Sequence, residues 1–171
     1  KSITLKLVAD KRTGKVLGAQ VIGPGEGIKR IDVLASVIMF KGGVKEVADL
    51  DLCYAPPFST AIDPLAHAAN IIRNKINGIA HGISSIDLKT KLEGDENFIL
   101  LDVRTPEEVI VEPFNDQRVV NIPVQELRYK QVELPKDKEI IIFCRTSVRA
   151  YEAERILVGK GFNDVKFLDG S

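Results

Sequence analysis

Residues 140–150 read IIIFCRTSVRA, and this stretch decides the fold of the second half of the chain. Its first four residues are apolar, which predicts a strand buried on both faces of a sheet. Cys144 follows that strand directly. Apolar residues then return at helical spacing from Arg149 to Lys160. The stretch therefore predicts a strand, a tight loop and a helix, with Cys144 at the carboxyl end of the strand.

The same pattern continues on both sides of this stretch. Thr105 precedes a helix start with Glu108 three residues later, which is the spacing of a capping box. Strands that alternate with helices indicate a parallel sheet with helices on its faces. We therefore predict an α/β domain over residues 85–171. Its predicted strands are 98–103, 119–122, 139–143 and 165–168. Its predicted helices are one that starts at 105–108, one over 124–129 and one over 149–160.

The first 77 residues follow a different pattern. Residues 3–8 alternate apolar and polar side chains, and with residues 15–22 they predict a hairpin. Helices are predicted from Ile28 to Gly42, over residues 44–50, and from Asp63 to Asn77. We therefore predict an α+β domain over residues 1–77. Residues 78–84 (GIAHGIS) are small and flexible, and we expect them to form a linker.

Composition excludes several classes of protein. The 171 residues carry 24 Lys and Arg against 24 Asp and Glu, so the formal net charge is zero. A general nucleic-acid binder or a protein of anionic membranes needs a basic surplus. No apolar run approaches the ~20 residues of a membrane helix. Because the chain begins at Lys1 and stops at Gly170-Ser171, we expect a fragment of a longer protein.

The cysteines and histidines give further expectations. Two cysteines cannot form a disulfide framework, which favours a reducing, cytoplasmic location. Cys53 has no basic neighbour and is expected to be a small apolar filler. His67 and His81 are isolated in the sequence, so no metal site is expected.

Cys144 is the candidate catalytic residue. Ligands of open α/β sheets bind beyond the carboxyl ends of the strands. Loop N–H groups and the N-terminus of a helix form an anion site there. Positive charge around Cys144 favours its thiolate, the form that acts as a nucleophile or carries a persulfide. A buried structural cysteine is the alternative interpretation. The residues expected to bind the anion are Arg145, Thr146, Ser147, Val148 and Arg149.

The second half resembles the rhodanese-like sulfurtransferase domains. The resemblance rests on four segments in the family's order: 101–108 (LDVRTPEE), 121–123 (NIP), 144–149 (CRTSVR) and 167–170 (FLDG). It implies that Cys144 takes sulfane sulfur as a persulfide and passes it to an acceptor. It also implies that Asp102 braces the loop arginine. Ser147 stands where the family often has glycine, the glycine segment before Asn121 is absent, and the domain is expected to be truncated at its C-terminus.

Loop length argues against cysteine-based phosphatases. Those enzymes place an arginine after a cysteine and five further residues, but the chain has Arg149 one position earlier. The smaller loop suits a single sulfur atom better than a tetrahedral oxyanion, because catalytic geometry must be right before acidity matters.

Residues 1–77 resemble the dimerisation domain of pyridine nucleotide-disulfide oxidoreductases. The most specific segment is 54–59 (YAPPFS). The resemblance implies a homodimer in which Tyr54 approaches the partner's active site, either as a proton donor or as an interface tyrosine. It is greatest to the coenzyme A-disulfide reductase and NADH oxidase branch. FAD, NAD(P)H and coenzyme A are implied for the intact protein, and no cofactor is expected on this fragment.

These observations predict part of a coenzyme A-disulfide or persulfide reductase fused to a sulfurtransferase domain. Its substrates would be a small thiol or a sulfane-sulfur donor, with neither nucleic acid nor membrane as a partner. Two alternatives remain at this point. The domain could be an idle docking and dimerisation module, or Cys144 could be a redox-sensing thiol.

Overall fold

The computed structural model describes residues 3–57, 59–94 and 96–170. These residues form two compact units. The first ends at Ile79, and the second begins at Ala80.

The first unit joins a hairpin to three helices. The hairpin strands are β1 (Thr4–Ala9) and β2 (Val16–Ile22), which pair antiparallel. After a 3₁₀ turn at Gly25–Lys29, the helices are α1 (Arg30–Met39), α2 (Val44–Ala48) and α3 (Pro64–Ile76). The predicted α+β class is confirmed.

The start of α3 shows why the sequence sets these elements. The Asp63 carboxylate accepts a hydrogen bond from the Leu65 N–H at 2.9 Å, so it satisfies a donor of the first helical turn. Pro64 occupies the first helical position, where its missing N–H costs nothing. The other carboxylate oxygen accepts from Nε of Arg30 at 2.8 Å. This pairing joins the start of α3 to the start of α1.

The second unit is built on a five-stranded sheet. The strands are β3 (Gly82–Ser84), β4 (Phe98–Asp102), β5 (Val119–Asn121), β6 (Glu139–Phe143) and β7 (Val165–Asp169). Every described pairing is parallel, and the spatial order is β3-β7-β6-β4-β5. The helices are α4 (Ser85–Glu93), α5 (Pro106–Val111), α6 (Val124–Lys130) and α7 (Val148–Gly159). The predicted α/β fold is confirmed.

β6 is the central strand, and both of its faces are covered. Ile140 and Ile142 pack with apolar residues of α6 and α7, whereas Ile141 and Phe143 pack on the opposite face with Leu88 of α4. This two-sided burial is the reason that β6 is continuously apolar. It also fixes Cys144, the next residue, at the carboxyl edge of the sheet.

The predicted linker at residues 78–84 is wrong in its second half. Gly82–Ser84 forms β3 and pairs with β7, and Ile83 is buried. The Ser84 hydroxyl accepts from the Asp87 N–H at 3.1 Å and caps α4, a helix that the sequence pattern did not reveal. The error arose because a three-residue strand made of small residues has the composition of a linker.

No helix in the described part of the chain is both long enough and apolar enough to cross a bilayer.

Candidate functional site

Cys144 lies where β6 leaves the sheet. Its side chain belongs to the core between the sheet and α7, and only 5% of the residue is exposed. The chain then turns through three residues, and α7 begins at Val148. The strand and the helix therefore hold the two ends of a short loop that contains the thiol.

The N-terminus of α7 faces this loop. The Tyr151 N–H donates to the Ser147 carbonyl at 2.8 Å, the first hydrogen bond that continues into the helix. The N–H groups of residues 148–150 belong to the first turn, where a helix supplies no acceptors of its own. They form the positive end of the helix dipole. A helix N-terminus of this kind favours an anion bound close to it.

Arg149 is held in place by Glu108. Nη1 and Nη2 of Arg149 donate to the two carboxylate oxygens at 2.6 and 2.8 Å, a two-point ion pair that fixes the guanidinium plane. Glu108 also accepts from the Thr105 N–H at 3.0 Å. The hydrogen bonds from Arg149, which are the largest cause, and from the Thr105 N–H lower the pKa of Glu108 to about 2.

Arg149 also interacts with Cys144. The pKa of Arg149 is raised, first by its hydrogen bonds with Glu108 and then further by its attraction to and hydrogen bond with the Cys144 side chain. Glu108 of α5 thus fixes the guanidinium of Arg149, and the Cys144 side chain at the end of β6 adds to the electrostatic stabilisation of that cation. This arrangement can orient a cation toward a thiolate or a persulfide.

Asp102 has a different partner from the one expected. Its carboxylate accepts from the backbone N–H, Nε and Nη2 of Arg104, with a shortest distance of 2.7 Å. The expectation that Asp102 braces the loop arginine is corrected, because Arg149 pairs with Glu108 instead. Asp102 and Arg104 are two residues apart at the end of β4, so the backbone turn brings them together. Glu108 reaches α7 from the first turn of α5.

Arg104 forms part of the wall beside the loop. It is 7% exposed, its guanidinium lies 5.6 Å from the ring centroid of Phe143, and Nη1 donates to the Glu112 carbonyl at 3.0 Å. Asn121 secures this turn, because its Nδ2 donates to the carbonyls of Asp102 at 2.9 Å and Arg104 at 3.0 Å.

Ser147 adopts an unusual backbone conformation. Its φ is +63°, in the left-handed region that costs about 1–2 kcal/mol for a residue with a side chain. The hydroxyl donates to the Leu168 carbonyl at 2.9 Å and accepts from the Gly170 N–H at 3.0 Å. The loop thus keeps the conformation that glycine adopts most easily, although serine occupies the position.

A cavity of about 280 Å³ adjoins the loop. Arg145 is exposed at its wall and makes no ion pair with any described residue, whereas Arg104 is paired with Asp102. The cavity therefore offers one uncommitted cation. It is lined by Arg104, Glu107, Glu108, Val111, Glu112 and Arg145.

Comparison with known proteins agrees with this geometry. Residues 85–171 match the rhodanese-like domain. The chain belongs to the rhodanese-like family. Residues 1–66 match the dimerisation domain of pyridine nucleotide-disulphide oxidoreductases. The chain is thus a dimerisation domain followed by a rhodanese-like domain, as the sequence predicted.

Individual relatives carry one or both of these domains. An NAD-dependent persulfide reductase from A. fulgidus is 42% identical over 99% of the chain, with a TM-score of 0.81. A sulfurtransferase from Allochromatium vinosum is 32% identical over 88 residues, 52% of this chain and 80% of that protein. A NAD(P)H coenzyme A polysulfide/persulfide reductase from Pyrococcus horikoshii is 38% identical over 73 residues, 43% of this chain. The chain spans only 29% of the first protein and 16% of the third.

Three residues around the rhodanese-like loop were missed as site residues: Arg104, Glu108 and Asn121. Glu108 carried a signal, because its capping-box spacing was visible, but its pairing with Arg149 spans 41 positions. Asn121 belongs to a quoted family segment. No local pattern indicated that its side chain donates hydrogen bonds to the carbonyls of Asp102 and Arg104.

The segment around Tyr54 lies in the first unit and is largely exposed. Tyr54 is 54% exposed, and Cys53 is also exposed, so the expectation that Cys53 fills an apolar gap is wrong. The Ala55 N–H donates to Oγ of Ser59 at 3.2 Å, which closes a local turn. Phe58 lies outside the described residues.

Among the residues that the structure describes, neither unit presents a recognisable cofactor or metal site. The chain contains no GxGxxG segment, and the described residues of the first unit form no βαβ unit, so these residues do not fit FAD or NAD(P)H. Within the described ranges, no three His, Cys, Asp or Glu side chains converge as metal ligands.

Proposed function

We propose that Cys144 accepts a sulfane sulfur atom as a persulfide and passes it to a thiophilic acceptor. One observation carries this proposal. A nearly buried thiol lies at the N-terminus of α7 and interacts with an arginine whose orientation Glu108 fixes. A cysteine beside a cation and a helix N-terminus is the setting in which proteins place nucleophilic cysteines. The Allochromatium relative, named a sulfurtransferase, supports the same reaction class.

The reaction has two balanced steps with thiosulfate as the donor. The Cys144 thiolate attacks the sulfane sulfur. A new S–S bond forms to Cys144, the old S–S bond breaks, and sulfite leaves with the electron pair. A nucleophilic acceptor such as cyanide then attacks the outer sulfur, forming thiocyanate and restoring the thiolate. No external oxidant or reductant is required.

The residues in and around the loop have different roles in this reaction. The backbone N–H groups of residues 145–149 bind the anionic sulfur, and Arg149 adds a fixed positive charge beside it. Arg145 receives the anionic end of the donor, because it is the uncommitted cation of the adjoining cavity. Asp102 acts indirectly, since it holds Arg104 in the cavity wall.

We further propose that the intact protein is a FAD-dependent coenzyme A-disulfide or persulfide reductase. The Pyrococcus relative is named a NAD(P)H coenzyme A polysulfide/persulfide reductase and the A. fulgidus relative a NAD-dependent persulfide reductase, although the chain spans only a small part of each. Coenzyme A or another small thiol would carry sulfur between Cys144 and the flavin site. A cytoplasmic location fits the two free thiols of the chain.

The first unit is proposed to form a homodimer through residues 1–77. Its match to a dimerisation domain supports this, as do large apolar side chains left in solvent, including Met39 at 78% and Phe40 at 80% exposure. Tyr54 would then approach the active site of the partner subunit. Tyr54 is 54% exposed and therefore accessible to a partner.

The test is cyanide-dependent thiocyanate formation from thiosulfate. We expect Cys144→Ser to abolish it, because a serine hydroxyl does not form a persulfide. The matched control is Cys53→Ser, which should retain the parent rate because Cys53 is exposed in the other unit. Equal rates in the parent and Cys144→Ser would refute the proposal.

One alternative is supported by a specific observation. The apolar surface of the first unit and the strained Ser147 are also compatible with an idle rhodanese-like module that serves in docking and dimerisation. Mass spectrometry after donor treatment separates the two functions. A gain of one sulfur atom on Cys144 supports the enzyme, and an unchanged thiol supports the module.

A further inference from the structure

Two neighbouring strands end beside the Cys144 loop. β6 and β7 are parallel neighbours, with Ile142 opposite Phe167. The loop that leaves β6 and the turn that leaves β7 therefore emerge at the same edge of the sheet. Ser147, in the loop, bridges to Leu168 and Gly170, more than twenty positions later in the chain.

The Ser147 hydroxyl both donates and accepts a hydrogen bond between the loop and the end of β7. It donates to the Leu168 carbonyl and accepts from the Gly170 N–H, at 2.9 and 3.0 Å. Glycine would adopt the left-handed φ of +63° more easily but could make neither bond. The two hydrogen bonds of the hydroxyl thus offset the cost of the left-handed backbone conformation at Ser147.

We propose that Ser147 is a positioning residue whose hydroxyl ties the active loop to the end of β7, and thereby keeps the N–H groups of the loop directed at Cys144. This inference rests on the proposed function for its consequence in sulfur transfer. Without the tether, the loop samples conformations in which fewer donors face the sulfur. The Cys144 thiol is then less well oriented, and it reacts more slowly.

Two substitutions separate the effect of the two Ser147 hydrogen bonds, the tether, from the effect of the backbone strain. Ser147→Ala removes both hydrogen bonds and leaves the backbone strained. Ser147→Gly removes the same bonds and relieves the strain. A tether predicts that both variants lose reactivity. If the serine were only tolerated at this position, Ser147→Gly would match or exceed the parent.

The experiment measures alkylation of Cys144 by iodoacetamide as a function of pH, in the full chain carrying Cys53→Ser so that one thiol reacts. We expect each Ser147 variant to react about three- to tenfold more slowly than the parent across the pH profile. The control is Thr90→Ala, which removes an exposed hydroxyl that donates to the Ile86 carbonyl in α4. It should leave the profile unchanged.

Two outcomes overturn the inference. In the first, Ser147→Gly gives the parent profile, and this variant decides the question even if Ser147→Ala fails to fold. In the second, both variants lower the melting temperature but keep the parent profile, which shows a purely structural role. Failure of the proposed function is separate. A parent chain that takes up no sulfur refutes sulfur transfer, while its alkylation profile still tests the tether.

Discussion

The segment at residues 53–59 and the loop at residues 144–149 each begin with a cysteine, but they are built differently. Cys144 is buried, and ion pairs or hydrogen bonds from α5 and β7 fix the side chains around it. Cys53 and Tyr54 are exposed, and a local turn holds the segment. The second unit thus builds its candidate site from its own residues. The first unit presents Cys53 and Tyr54 in exposed positions, and we propose that these side chains act by contacting a partner.

The largest effect expected from this difference is at Arg149. We predict that Arg149→Ala lowers the rate of sulfur transfer by about 100-fold, because it removes the fixed charge beside the anionic sulfur. Tyr54→Phe should leave the same rate unchanged, because the residues that support Cys144 all belong to the second unit. The check is steady-state kinetics with thiosulfate and cyanide. A rate that falls in Tyr54→Phe but not in Arg149→Ala would contradict this difference between the two units.

Glu108 should give a smaller effect through Arg149. Glu108→Gln removes the charge that orients the guanidinium, and we expect about a tenfold loss in kcat. The matched control is Glu107→Gln, which changes the neighbouring carboxylate and leaves the ion pair intact. Kinetics of the two variants side by side test the prediction. Equal losses would show that net charge, and not orientation, matters.

The lowered pKa of Glu108 also predicts that the stability of the folded protein depends on pH. Its pKa falls from an ordinary 4.5 to about 2 in the folded protein, so the folded state binds fewer protons than the unfolded state between these values. The stabilisation is present above pH 4.5 and is lost as the pH falls toward 2. Urea unfolding across this window should show a shallower pH dependence in Glu108→Gln than in the parent. The same slope in both proteins would contradict the assignment.

The smallest effect is expected at Arg145. Because its guanidinium is exposed and unpaired among the described residues, Arg145→Ala should raise KM for thiosulfate about threefold and leave kcat unchanged. The effect should shrink as salt is added, since exposed charges are screened. A loss confined to kcat would place Arg145 in the chemical step.

Much of the fold followed from local sequence. The apolar runs at residues 98–103 and 139–143 predicted β4 and β6, and Asp63-Pro64 predicted the start of α3. β3 and α4 were missed. β3 is only three residues long, and its stability comes from pairing with β7. A local pattern carries no record of such a distant partner.

The candidate site was predictable in its centre and not in its supports. Cys144 and Arg149 stood in one short segment, so their proximity followed from the chain itself. The partner of Arg149 was assigned to Asp102, but the structure gives it to Glu108, 41 positions away. The hydroxyl bridge from Ser147 to Leu168 spans 21 positions. Such contacts depend on the order of strands in the sheet, which periodicity does not specify.

Mass spectrometry of the full chain after thiosulfate treatment tests the central claim most directly. Digestion separates the peptide that contains Cys144 from the peptide that contains Cys53, so each thiol is read independently. We predict one added sulfur atom on Cys144, removed by cyanide, and none on Cys53. Sulfur on Cys53 alone, or on neither cysteine, would contradict the claim that the loop after β6 is built to hold a persulfide.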